Sequence, residues 1–251
     1  MFGRLIGMAA VPVSDPIAIF GSALQVWYRS DLGIVLNGGT VAQWVDQSGN
    51  NDPARNLVNA TASQQPLYIA SDPAFGGKPS LQFDGVNDWL HTGNYLGDGA
   101  YTVFEVCTGL TTAGSYFWMR GNGRDYLRGD TNIVSSSTHV DMRGGTGHSN
   151  WNHTNPTWGV FSGVKTLRVE FDGTHVGHKG FLNNGPNEFT VSVIANDPGT
   201  LQSNTFTVLG ANFSGSSNAG NKVAEFLMVT GVDSSKNQQC EQYLRSRYGH
   251  Y

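Results

Sequence analysis

The chain has 251 residues, 33 of them glycine, and only 14% are Asp, Glu, Lys or Arg. Globular domains average about 25% charged residues and about 7% glycine, so this surface is built from neutral polar groups. A net charge of −4 with scattered Lys and Arg leaves no basic stripe for nucleic acid, and no run approaches the roughly 20 apolar residues of a membrane-spanning helix.

Residues 1–20 are apolar at Phe2, Leu5, Ile6, Met8, Val11, Val13, Ile17, Ile19 and Phe20. Arg4 followed by apolar residues gives a superficial likeness to a secretion signal, but the run is short and broken by Pro12. The expectation is an unprocessed arm over 1–20 that docks on a neighbouring molecule; the alternative is an arm packed back on its own body. Without secretion, the glycosylation-type triplets at Asn59, Asn152 and Asn212 are chance matches in an Asn-rich chain.

From residue 21 onward, apolar and alternating runs of five to eight residues, separated by Gly, Asn and Asp turns, are the signal of strands and hairpins. Strands are predicted at Ala23–Tyr28, Thr40–Val45, Ser80–Phe83, Ala100–Thr108, Thr166–Phe171, His175–Leu182, Phe189–Ile194, Thr205–Leu209 and Val223–Val229. Ala100–Thr108 is apolar on nearly both faces, as a central strand is. Thr166–Phe171 alternates, predicting Leu167, Val169 and Phe171 inward and Arg168, Glu170 and Asp172 outward. One helix is predicted, capped by Ser234 or Ser235, apolar at Cys240, Tyr243, Leu244 and Tyr248, and stopped by Gly249. Arg245 and Arg247 near its end suit the helix dipole. Many strands and one terminal helix predict a single all-β sandwich over 21–251. Cys107 and Cys240 allow at most one disulfide, and both fit a buried thiol.

Residues 111–164 differ in composition. They are rich in Gly, Ser, Asn and His, with weak strand signals, and read as a loop-rich insert.

The stretch VWYRSDLGIVLNGGTVAQWVDQSGNN (26–51) resembles the opening of a laminin-G-like, concanavalin A-like domain. QPLYIASDPAFGGKPSLQFDGVNDWL (65–90) keeps that family's order, a G-K-P turn and then F-D-G-x-x-D-x-L. The strand TVFEVCTG, the paired strands LRVEFDGTHVGHKGFLNNG and the closing VLGANFSGSSNAGNKVAEFLMVTGVDSSKNQQCEQYLRSRYG are similar to the family as well. The resemblance covers roughly 24–110 and 165–250 and implies a two-sheet antiparallel jelly roll. Such domains occur in adhesins and lectins, in glycosidases and in structural proteins of tailed bacteriophage virions.

Several constellations are candidates for chemistry. Glu170 and Asp172 share a strand face, as do the carboxylates of the E-x-D-x-E strand in one glycosidase branch. The third position here is Thr174, and Asp172 precedes Gly173, so a turn explains the aspartate. Asp84, Asn87 and Asp88 could contribute oxygens to calcium, against the reading of an Asx-rich turn. In the insert, Trp151 with His148, Asn150, Asn152 and His153, extended by Trp118, Tyr126 and Trp158, combines flat rings with amides and imidazoles, the mixture that sugar recognition uses. The competing reading makes these aromatics core or subunit-interface anchors. Arg128-Gly129-Asp130 reads as an ordinary turn.

The resemblance, the arm and the scarcity of charge together imply a non-enzymatic bacteriophage virion surface protein. It would be a capsid decoration or a head or tail component, made in the host cytoplasm without a cleaved signal. Its partners would be virion proteins and copies of itself in a cyclic homo-oligomer, with a host glycan as ligand of one face. No cofactor is expected beyond calcium at the Asp84 turn. The alternatives are a free carbohydrate-binding adhesin or lectin and, behind it, a polysaccharide hydrolase.

Overall fold

The computed structural model describes residues 13–93, 99–109, 116–120, 125–129, 139–142, 151–154, 163–172, 178–183, 192–193, 207–211, 215–216 and 218–249. These form 17 strands and two α-helices. In chain order they are α1 (Pro16–Phe20), β1 (Leu24–Arg29), β2 (Ile34–Asn37), β3 (Thr40–Trp44), β4 (Leu57–Val58), β5 (Leu67–Asp72), β6 (Lys78–Gln82), β7 (Leu90–His91), β8 (Tyr101–Thr108), β9 (Tyr116–Arg120), β10 (Asp125–Gly129), β11 (His139–Met142), β12 (Trp151–Thr154), β13 (Val164–Phe171), β14 (His178–Leu182), β15 (Ser192–Val193), β16 (Thr207–Leu209), β17 (Lys222–Thr230) and α2 (Ser234–Tyr248).

The described pairings are antiparallel. One layer runs β14–β13–β8–β17–β1. Its continuation curls away through β6, which takes Lys222 and Val223 at the start of β17, and then through β5 to β3. From β3 the ladder passes to β2 on one side and along β4, β7, β16, β9, β10, β11, β12 and β15 on the other. The result is a curled, all-antiparallel β structure with one C-terminal helix, consistent with an all-β sandwich.

Alternation along the central strands builds two cores. From β8, Tyr101, Val103 and Cys107 point to an inner core shared with Tyr28, Trp44, Trp118, Leu167, Phe226 and Met228. Phe104 and Val106 point the other way, to an outer core closed by Ile19 and Phe20 of α1 and Cys240, Tyr243, Leu244 and Tyr248 of α2. The two cysteines are therefore on opposite faces of the layer, both buried and unpaired.

The helices change three expectations. Asp233, not Ser234 or Ser235, caps α2, because its carboxylate accepts from both Ser235 N and Lys236 N at 3.0 Å. Gly249 ends the helix in the left-handed region, as predicted. Arg168 and Glu170 do not face solvent: α2 covers that side of β13, and they are 6% and 3% exposed. Only Asp172, past the strand end, is exposed. At the N-terminus, Asp15 caps α1 and Pro16 opens it. Ile19 and Phe20 are buried in the outer core, so residues 16–20 belong to the body rather than to a separate docking arm. Ile17 remains exposed, and Phe2, Leu5, Ile6 and Met8 lie outside the described residues.

Gly210, just after β16, has a φ of +82°, and a Cβ there would sit 2.3 Å from the Phe83 ring. Both the backbone conformation and the close approach require glycine. Gly210→Ala is expected to lower stability by about 3 kcal/mol or more, read as an earlier midpoint in urea unfolding.

Candidate functional site

The described residues of the insert are paired strands, which its composition does not suggest. The insert carries β9 to β12, because an antiparallel ladder is held by backbone groups and does not need apolar alternation in each strand. Trp118 is fully buried in the inner core, edge-on to Tyr101 at 6.3 Å, so it is a packing residue and not a sugar platform. Tyr126 is opposite Met119. Trp151, Asn152 and His153 of β12 are opposite Met142, Asp141 and Val140. His148, Asn150 and Trp158 lie outside the described residues.

Glu170 is built into the protein's interior. It accepts a 2.7 Å hydrogen bond from Asn237 Nδ2 of α2 and has Arg168 Nε at 3.5 Å. Arg168 Nε also lies 3.3 Å from Glu241. A carboxylate committed to a helix–sheet contact and shut off from solvent is not placed to meet a polysaccharide.

Asp84, Asn87 and Asp88 form a tight turn between β6 and β7. Asp84 Oδ1 accepts from the backbone N–H groups of Val86, Asn87 and Asp88 at 2.7, 3.1 and 3.3 Å. Asp88 Oδ2 accepts from Asp84 N at 3.0 Å. Burial, reinforced by the neighbouring Asp84 carboxylate, pushes the Asp88 carboxyl up to about 6. Among the described residues no group of three or more His, Cys, Asp or Glu could hold a metal ion.

Next to this turn, where β6, β8 and β17 end together, lies a pocket of about 250 Å³ lined by Gln82, Phe83, Asp84, Thr108, Asn221 and Lys222. The strand ends fix its walls. Phe83 N donates to Asn221 O and Lys222 N to Thr108 Oγ1, both at 2.9 Å. Gly210 lets the Phe83 ring settle against the chain. The Lys222 ammonium turns aside to Asp72, 2.9 Å away.

The decisive feature is Asn221. Its residue is 4% exposed, yet neither Nδ2 nor Oδ1 has a hydrogen-bond partner. An unmade buried hydrogen bond costs about 1–3 kcal/mol, so a buried carboxamide without a partner, on a residue that lines a pocket, suits a molecule that reaches in and completes it. Sequence reading passed over Asn221 because an Asn–Lys pair before a strand looks like any turn; only the convergence of three strand ends brings it to Phe83 and Gln82.

No protein-family model matches the sequence, and no curated protein matches it. Solved structures share the fold. Domain 4 of AbnA, a GH43 extracellular arabinanase from Geobacillus stearothermophilus solved in complex with arabinotriose, superposes with a TM-score of 0.57 at 14% identity, over 87% of this chain and 97% of that one. A Trypanosoma rangeli sialidase in complex with sialic acid gives 0.58 at 12% identity, over 95% of this chain but 35% of its own length. A GH54 arabinofuranosidase soaked with a cyclic sulfate inhibitor gives 0.51 at 14% identity, over 83% and 51%.

Proposed function

We propose that this protein is a carbohydrate-binding β-sandwich that recognises a glycan without cleaving it, and that the Asn221 pocket is where it does so. The observation that carries this reading is the buried, unpartnered Asn221 carboxamide in a pocket with one aromatic wall and several neutral polar groups. A carboxamide offers two donors and an acceptor in one plane, which matches adjacent sugar hydroxyls. Phe83, 2% exposed and packed in the inner core, closes the apolar side of the pocket without presenting a stacking face, and ligand sites combine such an apolar lining with a few placed polar groups. The fold likeness to the arabinanase domain bound to arabinotriose supports the same class of ligand. Retaining hydrolysis needs two accessible carboxyl groups about 5–5.5 Å apart. Glu170 is buried under α2, and Asp84, whose Oδ1 is taken by the turn amides, has no second accessible carboxyl among the described lining residues to work with, which favours binding over catalysis.

The finer fold reading is a two-layer concanavalin A-like jelly roll. In the virion setting that the sequence motifs resemble, such a sandwich would turn this pocket toward a host glycan, held by the segment before α1.

Titration calorimetry with arabinotriose and other neutral oligosaccharides tests the reading. The parent is expected to bind at least one, and Asn221→Ala to weaken that binding at least tenfold with an unchanged or higher unfolding temperature. Equal affinity in the variant, or no binding by the parent, would overturn it.

A further inference from the structure

The charges around the pocket say which sugars it takes. We infer that the pocket selects uncharged saccharides and rejects acidic ones, because the one cation among its described lining residues is already held by a buried aspartate and the remaining charge there is a carboxylate. This rests on the pocket being a glycan site, and it narrows the ligand class.

Lys222 is the only basic residue among the described residues lining the pocket. Its Nζ is 2.9 Å from Asp72 Oδ2. Asp72 is 1% exposed and also accepts from Ser80 Oγ at 2.7 Å and from Ala74 N at 3.0 Å. These partners, with Lys222, outweigh burial and hold the Asp72 carboxyl below the usual range, so the aspartate stays ionised. Turning Lys222 toward a ligand carboxylate would leave Asp72 buried and uncompensated, the costly way to break such a pair. A sialic or uronic acid would therefore find no free cation among the described lining residues.

It would also meet repulsion. Asp84 lines the pocket, and Asp88 accepts from the Asp84 backbone at 3.0 Å immediately behind it. A sugar carboxylate would add a further like charge to this pair. A neutral sugar meets instead the Asn221 and Gln82 carboxamides, the Thr108 hydroxyl and the Asp84 carboxylate. The last is an acceptor for sugar O–H groups, and hydrogen bonds to a charged acceptor are the stronger kind. Rejection by unpaired charge is a common way for a site to discriminate.

The experiment compares arabinotriose, xylotriose and maltotriose with sialyllactose and trigalacturonic acid by titration calorimetry at one ionic strength. The variants are Asp84→Asn, Asp72→Asn and Asn221→Ala. Asp84→Asn keeps the acceptor oxygen that caps the turn while removing its charge, and Asp72→Asn keeps the acceptor for Ala74 N while releasing Lys222. The parent is expected to bind one or more neutral sugars and the acidic ones at least tenfold more weakly. Asp72→Asn and Asp84→Asn should each raise acidic-sugar affinity fivefold or more. Asp72→Asn, outside the lining, should change neutral binding less than threefold, whereas Asp84→Asn should also weaken neutral binding because it replaces a charged acceptor by a neutral one.

Equal or tighter binding of acidic sugars by the parent, still abolished by Asn221→Ala, would overturn the selectivity and leave the glycan site standing. Neutral binding indifferent to all three variants would overturn the site itself. Selectivity unchanged in both aspartate variants would overturn its electrostatic origin. A parent that binds none of the five would remove the inference together with the reading beneath it.

Discussion

Replacing Glu105 by methionine is expected to raise the unfolding temperature at pH 7 by roughly 5–10 °C. Glu105 lies in the middle of β8, paired with Leu167 and Phe226, and its neighbours on that face, Val103 and Cys107, belong to the inner core. It is fully buried, and neither carboxyl oxygen has a hydrogen-bond partner. Burial pushes its carboxyl up from 4.5 to about 8, so the folded protein holds it protonated at neutral pH while the unfolded chain ionises it.

The sign follows from that difference. The folded state binds the extra proton, so stability is full below about 4.5 and falls as pH rises towards about 8. The slope in that window is about 1.4 kcal/mol per pH unit, or on the order of 3 kcal/mol lost by pH 7. At this chain length each kcal/mol moves the midpoint by about 2–4 °C. Asp88 and Glu241 titrate in the same range, pushed to about 6 and about 7 mainly by burial, so the informative quantity is the difference between parent and variant. Thermal melts from pH 4 to pH 9 should show the two curves close together at pH 4 and diverging above it. Parallel curves would mean that Glu105 has a partner in solution.

Arg168→Ala should lower stability by about 3–5 kcal/mol, the usual cost of stranding a buried charge. Arg168 lies between Glu170 at 3.5 Å and Glu241 at 3.3 Å, and its guanidinium stacks 3.7 Å from the Phe181 ring centroid. Its loss leaves two buried carboxylates under α2 without the cation that lies between them. A double variant that also carries Glu241→Ala should recover part of the deficit, since neighbours in one network do not add. Urea unfolding followed by circular dichroism measures both; a single-variant loss under about 1 kcal/mol would show that solvent reaches this layer.

The second buried polar layer explains why α2 sits where it does. Glu225 is fully buried and accepts from Trp27 Nε1 at 2.6 Å and Tyr248 Oη at 2.8 Å. Arg247 lies 3.2 Å from Glu225 and 2.6 Å from Asp31. A bulge in β17 between Val223 and Glu225 breaks the alternation there. Ala224 in the outer core and Glu225 in this polar layer thus face the helix consecutively.

Much of the fold was legible in the chain. The predicted strands at Ala23–Tyr28, Thr40–Val45, Ala100–Thr108, Thr166–Phe171 and Val223–Val229 correspond to β1, β3, β8, β13 and β17 within two residues at either end. Their apolar runs are long enough that period and composition agree. The short β4 and β7, of two residues each, carry no period to read. The candidate sites were less legible: Trp118 reads as a sugar platform until its burial is known, and Asn221 reads as a turn.

What the sequence determined by itself is the class of structure, because a strand announces its buried face through alternation and a helix its end through Gly249 and the dipole-facing arginines. Which face of β13 meets water was decided only by tertiary structure, since α2, some 60 residues later, covers the side carrying Arg168 and Glu170. The same holds for the pocket. Gln82, Thr108 and Asn221 are brought together by pairing between distant strands. Whether an asparagine's amide is already satisfied depends on neighbours that local sequence does not contain.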